Sequence, residues 1–323
     1  MEKKRMSGAS FLSKYWLLLF TVGAVLAFGA ISPEFLSFTN LTNILSGAGI
    51  HGVMAIGLTC IFATGELDFS AGSQVSLACC LIAVLISKTS LNNYFLGVLI
   101  VIAAMVGIGC YNSFLHVKIG IPAFIATLGS NYIFGGLAKA ATNSQNIYNL
   151  SMSSQVFTFL GQGYLFGVIP MPLVVLVIVA AIVLFYTEYT RAGKYLYAVG
   201  SNPKASEYIG IDARAQKLRA FLISTVCCGL AGILEGSQMN QASPTYGANM
   251  FVPALTAVFL GATFGRIGVF NVPGTIVGAV LYAVVNRGLL MITSELWLKY
   301  WIQGGMLLAA LIIVVLIKKK ESS

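Results

Sequence analysis

Ten acidic residues are spread over 323 positions, and Glu66 and Asp68 are the pair whose placement could do chemistry. They lie in the stretch T-G-E-L-D-F-S-A-G-S, residues 64–73, a Gly- and Ser-bearing break between two apolar runs. Asp68 or Ser70 can cap the helix that follows, accepting hydrogen bonds from its free N–H groups and setting negative charge at its positive end. An ionisable group at a span edge is costly, so a part in gating or in coupling to another subunit is the competing account of Glu66, Asp68, Ser70 and Gly72. Two carboxylates this close raise one of the two pKa values unless a cation lies near. Glu235 is followed by the polar run Gly236 to Gln241, including Asn240, and is predicted to face a water-filled vestibule that admits a hydroxyl-rich solute. Snorkelling of Glu235 to the interface is the structural alternative. Arg287 is placed to pair with Glu235 or Glu295.

Neutral polar residues inside the apolar runs form a second set: Asn43, His51, Gln74, Asn112, Asn131 and Asn286. Amides both donate and accept, which suits an uncharged polyhydroxylated solute held beside aromatic faces. Hydrogen bonding between helices is the rival explanation. Asn112, Asn131, Glu235, Asn240 and Gln241 are therefore the candidates for a translocation path. His51 reads as a packed interior histidine and His116 as an interfacial one. The six cysteines fall in apolar runs with no C-x-x-C spacing, so packing is their expected role and no metal or other cofactor is expected. No G-x-x-x-x-G-K-[ST] occurs; Gly193-Lys194 is followed by Tyr195, where Ser or Thr is required. No His, Cys and Asp constellation supports a membrane enzyme.

These residues are set on apolar spans predicted at 15–32, 42–64, 72–88, 94–116, 120–139, 168–187, 218–236, 251–265, 272–291 and 300–317. Each is near the roughly 20 residues that a helix needs to cross a bilayer. The composition agrees: 58% hydrophobic and 9% charged, with a mean hydropathy of +0.87. The expected fold is an all-α polytopic membrane protein, one transmembrane domain over residues 1–323. The eighth span is short enough to be re-entrant or a broken helix inside the bundle. Basic residues set the orientation. Lys3, Lys4, Arg5 and Lys14, then Lys118, then Arg191 to Arg219, then Lys318 to Lys320 all fall on one face when there are ten crossings, which places both termini in the cytoplasm. Only Lys88, Lys139 and Lys299 fall singly outside. The net charge of +9 is thus a topology signal, and no nucleic acid is expected as a partner. The first run, from Tyr15 to Ile31, is too long for a cleaved leader and is followed by no clear cleavage site. Pairs such as Gly232 and Gly236, Gly261 and Gly265, and Gly274 and Gly278 have the spacing of close helix crossings.

Residues 188–219 make a cytoplasmic loop too long for a connector. Within it Asn202 reads as an N-cap, Pro203 as the first helical residue and Gly210 as the stop. Such a helix, lying along the membrane, suits docking into a groove of a partner protein with Tyr208 and Ile209 as anchors.

Three segments resemble permease subunits of ATP-binding-cassette importers for ribose, galactose, xylose and related sugars. The break at 64–73 is similar to the family's G-G-I-D-L-S-V-G-S, with Asp68, Ser70 and Gly72 matching. T-R-A-G-K-Y-L-Y-A-V-G-S-N-P-K-A-S-E-Y-I-G-I, residues 190–211, resembles T-x-x-G-R-x-I-Y-A-x-G-G-N-x-x-A-A-x-x-S-G-I, with Asn202, Pro203, Ala205 and Gly210 matching. A-V-F-L-G-A-T-F-G-R-I-G and P-G-T-I-V-G-A resemble the family's late Gly-rich stretch. Glu66 departs from the pattern, standing where the second Gly of G-G-x-D is usual, and residues 264–273 lack the family's run of glycines.

The resemblance implies an inner-membrane permease that forms the path for a small sugar or sugar-like solute. It implies a second copy or a paralogue as dimer partner, an extracytoplasmic solute-binding protein, and a cytoplasmic ATP-binding subunit that hydrolyses the nucleotide. Asn202, Pro203, Ala205, Glu207, Tyr208 and Gly210 would couple to that ATPase. The alternative is an ion-coupled secondary transporter of a small polar solute. It wants a carboxylate deep in the bundle, whereas the acidic residues here are expected at span ends and in loops.

Overall fold

The computed structural model describes residues 8–88, 93–293 and 295–321. Lys3, Lys4 and Arg5, used above for orientation, lie outside the described residues. The chain is helical almost throughout: α1 (Gly8–Ile31), α2 (Phe38–Ala63), α3 (Ala71–Lys88), α4 (Tyr94–Ser113), α5 (Ala123–Thr142), α6 (Gln155–Gln162), α7 (Met171–Tyr189), α8 (Arg191–Ser201), α9 (Pro203–Tyr208), α10 (Ala213–Met239), α11 (Tyr246–Gly261), α12 (Val272–Ile292) and α13 (Leu296–Glu321). Two-residue strands make two small ladders: β1 (Ile147–Tyr148) lies antiparallel to β4 (Gln241–Ala242), and β2 (Tyr164–Leu165) to β3 (Ile169–Pro170).

Among the described residues, six helical stretches are long and apolar enough to cross a membrane: Phe38–Ala63, Tyr94–Ile119, Met171–Tyr189, Ala213–Met239, Val272–Ile292 and Trp297–Leu316. Tyr15–Ile31, Ala71–Ser87 and Tyr246–Gly261 are shorter apolar helices. The tenth expected span is α5, whose Thr127, Ser130, Asn131 and glycines lower its hydropathy. Elements differ from expectation at their ends. α10 begins at Ala213 because Asp212 caps it, accepting from the N–H groups of Arg214 and Ala215 at 2.9 and 3.1 Å, although its first turns are charged. α11 spans 246–261 and not 251–265. Its Tyr246-Gly247-Ala248-Asn249 start is too polar to read as a span, yet Gly247 is packed inside the bundle. The chain leaves the helix through left-handed Gly265 (φ 72°) and Gly268 (φ 77°). Asn271 then caps α12, accepting from Gly274 N–H at 2.8 Å.

α2 and α10 form the centre of the bundle. Met54, Leu58, Cys227, Cys228, Ala231 and Val258 share one buried cluster. Five cysteines are buried among apolar side chains, and Cys110 is exposed on α4. Lipid is as apolar as a leucine, so close fit and not hydrophobic transfer holds such helices together. Small residues provide that fit. Gly247 meets Gly72 so closely that a Cβ on the first would overlap the carbonyl of the second. Gly274 stands in the same way against the Gly261 carbonyl, and Gly278 against that of Ala257.

The loops sort to two ends. Glu66 meets His116 and Lys217 at one end, where Glu188 also meets Arg266. By the distribution of basic residues this is the inner end. The β1–β4 ladder and the contact of Arg287 with Asn40 lie at the other.

Candidate functional site

The break between α2 and α3 is a compact polar knot. α2 stops where Thr64 turns its hydroxyl onto the Ile61 carbonyl, 2.7 Å away, and Gly65 takes a left-handed conformation at φ 81°. Asp68 is 3% exposed. Its Oδ1 accepts from the Ser70 N–H at 2.8 Å and from the Ser70 hydroxyl at 2.6 Å, a turn just ahead of α3 that holds Ser70 in place and bonds no N–H of the helix itself. Gln74 Nε2 donates to Asp68 Oδ2 at 3.1 Å and to Ser70 Oγ at 2.7 Å. Asn112 Nδ2, from α4, donates to Ser70 Oγ at 2.9 Å. Ser70 is therefore a hub that ties α3 to α4, and Asn112, fully buried, is enclosed in this network and lines neither of the two cavities described below. Phe69 N–H donates to Thr127 Oγ1 at 3.0 Å, adding α5.

Glu66 points the other way, to the inner end. Lys217 Nζ and His116 Nε2 reach its Oε1 at 2.6 and 3.0 Å, and His116 Nδ1 lies 2.9 Å from the Ile121 carbonyl. Burial works to raise the Glu66 pKa, but the hydrogen bonds from His116 and Lys217 outweigh it and hold the carboxyl below the usual glutamate value. The cation that two neighbouring carboxylates require is thus supplied by α10. Sequence reasoning missed this cluster because its members stand 50 and 101 positions apart.

Between α7 and α10 the inner loop forms two helices, one more than expected. α8 is capped by Thr190, which accepts from Gly193 N–H at 3.0 Å. Near its other end Gly200 sits against the end of α2, where a Cβ would overlap the Ala63 carbonyl. α9 follows as predicted. Asn202 Oδ1 accepts from Ala205 N–H at 3.0 Å, Pro203 stands in the first turn, and Gly210 leaves in a left-handed conformation at φ 80°. Ser206 faces inward while Glu207 is exposed. Tyr208 and Ile209 are 90% and 75% exposed.

Two cavities bear on the expected path. One, of about 500 Å³, lies between α3, α5 and α11, and its lining includes Phe69, Ser73, Ser76, Asn131, Tyr132, Lys139, Thr245 and Phe251. Only Asn131 of the candidate path residues is in it; the hydroxyls and Tyr132 carry no sequence signal of their own. The second, of about 290 Å³, lies between α2, α10 and α12 and is lined by Asn43, His51, Glu235, Gln238, Tyr282, Asn286 and Arg287 among others. Glu235 is 9% exposed. Like Asp68 in the break between α2 and α3, it is buried although it stands near a helix end, four residues before α10 closes at Met239. Arg287 pairs with neither Glu235 nor Glu295: its Nε donates to Asn40 Oδ1 at 2.6 Å, while Glu295 accepts from Trp297 Nε1 at 2.9 Å. The start of α2 packs on the outer end of α12 and reaches Arg287 first. Asn240 closes α10 in a left-handed conformation (φ 52°) and accepts from Ser151 N–H at 2.6 Å. Gln241 lies in β4 and donates to the Tyr246 hydroxyl. Both tie the outer loops together.

Comparison with known proteins places this architecture. The ribose import permease protein RbsC of Escherichia coli K12 is 29% identical over 295 residues, 90% of this chain and 91% of the relative. The D-allose transport system permease protein AlsC of the same strain is 30% identical over 319 residues, 95% of this chain and 93% of the relative. The galactose/methyl galactoside import permease protein MglC of Salmonella typhimurium LT2 is 28% identical over 307 residues, 91% of this chain and 90% of the relative. The model of one family, described as branched-chain amino acid transport system / permease component, matches residues 40–311. The chain therefore belongs to this family of membrane-embedded transport permeases.

Proposed function

We propose that this chain forms the translocation path for a small sugar or sugar-like solute, as the permease subunit of an ATP-driven importer in the cell membrane. The observation that carries the reading is the groove between α3, α5 and α11. It offers hydroxyls (Ser73, Ser76, Thr245), an amide (Asn131) and the aromatic residues Phe69, Tyr132 and Phe251, with Lys139 as its single charged lining residue. That is a lining for a neutral hydroxylated solute, whereas an amino acid would call for a pair of opposite charges. The sugars in the relatives' names point the same way. Tyr132 is 81% exposed at the edge of the groove, which a second copy or a paralogue closes.

The chain supplies no phosphate-binding loop, so hydrolysis belongs to a cytoplasmic ATP-binding subunit, and an extracytoplasmic solute-binding protein delivers the cargo. α8 and α9 are the docking lever on the ATPase. Asn202, Pro203, Ala205 and Gly210 shape α9, and Glu207, Tyr208 and Ile209 face the partner. Nucleotide-driven movement of the lever switches the bundle between outward- and inward-open states.

Two substitutions test the division of labour. Tyr208→Asp is expected to leave membrane insertion intact and abolish co-purification with the ATPase; retained co-purification refutes the lever. Asn131→Leu is expected to lower sugar uptake by about tenfold, the worth of one hydrogen bond lost without loss of assembly. Unchanged uptake removes the groove from the path.

A further inference from the structure

We propose that the cavity between α2, α10 and α12 is a second solute site, held within a single chain, that takes a neutral polyhydroxylated solute at the outer half of the bundle. The inference rests on the sugar reading above but not on the groove between α3, α5 and α11. The two cavities share no lining residue.

What marks this cavity is unspent hydrogen-bonding capacity. Glu235 is 9% exposed, and its carboxylate makes no hydrogen bond or ion pair among the described residues. One turn on, Gln238 Oε1 is buried without a partner. These acceptors need donors that the protein does not provide. Across the cavity the donors are also part-used. Arg287 spends Nε on Asn40 at 2.6 Å and keeps its terminal nitrogens. Asn286 accepts from Gln303 through Oδ1 at 3.3 Å and keeps its amide hydrogens. Had the guanidinium closed on Glu235, the site would be satisfied; the two stand on one cavity without an ion pair.

The cavity presents both an acidic side chain, Glu235, and a basic one, Arg287, so neither a lone cation nor a lone anion is matched. A hydroxyl donates and accepts at once. Vicinal hydroxyls can give their protons to Glu235 and Gln238 while taking hydrogen bonds from Arg287 and Asn286, with the Tyr282 ring against the C–H face. A volume of about 290 Å³ holds one monosaccharide with a little water. The lining comes from the ends of α2, α10 and α12 remote from the Glu66 cluster, so the site is reached from outside and would hold solute ahead of the path.

The test uses the full chain in lipid nanodiscs with radiolabelled D-ribose, D-allose and D-galactose, and two single-cysteine reporters, Asn43→Cys here and Asn131→Cys in the groove. A membrane-impermeant maleimide reads protection. At least one of the sugars is expected to protect position 43, and both Glu235→Gln and Gln238→Leu are expected to weaken its binding by about tenfold or more. The second variant guards against misfolding of the first. Protection at 131 alone, with binding unchanged in both variants, overturns this site and leaves the proposed path standing. Protection of position 43 by glycine or ammonium in place of every sugar also overturns it, since the site then recognises charge.

Discussion

Glu66 is the residue whose replacement tests the inner-end architecture most directly. Its Oε1 takes Lys217 Nζ at 2.6 Å and His116 Nε2 at 3.0 Å, and the Glu66 and Lys217 side chains are 19% and 20% exposed. Fully exposed ion pairs are worth roughly 0.2–1 kcal/mol, and breaking a buried one costs roughly 3–5 kcal/mol. One-fifth exposure lies between, so a double-mutant cycle of Glu66→Gln and Lys217→Met should give a coupling of about 1–3 kcal/mol. Each single variant strands a partner, so the double variant should be less destabilised than the sum of the two. The readout is denaturation of the purified chain in detergent, followed by tryptophan fluorescence. Acid adds a second check. A carboxyl held below its ordinary value stabilises fully above the unfolded value of about 4.3 and loses that contribution as pH falls through the folded value. With both partners in place, the stability advantage of Glu66 over the Glu66→Gln variant should shrink as pH falls below about 4. A coupling under about 0.3 kcal/mol, or an advantage that keeps growing below about pH 4, refutes the reasoning.

Two further substitutions separate packing from charge. Gly247→Val puts a branched side chain against the Gly72 carbonyl, where backbone cannot give way; a loss of several kcal/mol and failure to accumulate in the membrane are expected, read by fluorescence-detected gel filtration. Arg266→Met removes a bidentate partner of Glu188, at 2.9 and 2.6 Å, but Arg266 is 61% exposed, so a change within about 1 kcal/mol and unaltered expression are expected.

The bundle was legible because hydropathy is a local signal, and so was α9, whose Asn202, Pro203 and Gly210 spell its start and stop within nine residues. α8 was missed for the opposite reason: its Arg191 and Lys194 carry no span signal, and Leu196 on its buried face packs with Ile61 and Ala123, distant in sequence. The candidate path divided in the same way. Asn112, Asn240 and Gln241 have the right side chains for a solute, yet each is engaged by protein, and amide type cannot say which partner an amide will find. Asn131 and Glu235 line cavities, but different ones. Glu66 shows the limit most plainly: its residue type suggested repulsion from Asp68, and only the folded chain brings Lys217 and His116 to it.

Under the proposed coupling, a displacement of the inner lever has to reach the groove, and the break between α2 and α3 is where the two meet. Gly200 of α8 rests on the end of α2 beside Gly65. Four residues after Gly65, Phe69 bonds Thr127 of α5 and packs its ring 5.8 Å from Phe251 of α11. Gly72, three residues further, is locked on Gly247. All three walls of the groove are thus attached to one short segment whose other end bears on the lever. Asp68 and Ser70 stiffen that segment through five hydrogen bonds within the knot and to Asn112, and close-packed interiors shift between discrete arrangements more readily than they bend. Glu66 adds a further tether. An added carboxylate at this position therefore does what a glycine could not: through Lys217 it ties the moving joint to α10, the helix that the lever leads into, and through His116 to the turns that follow α4.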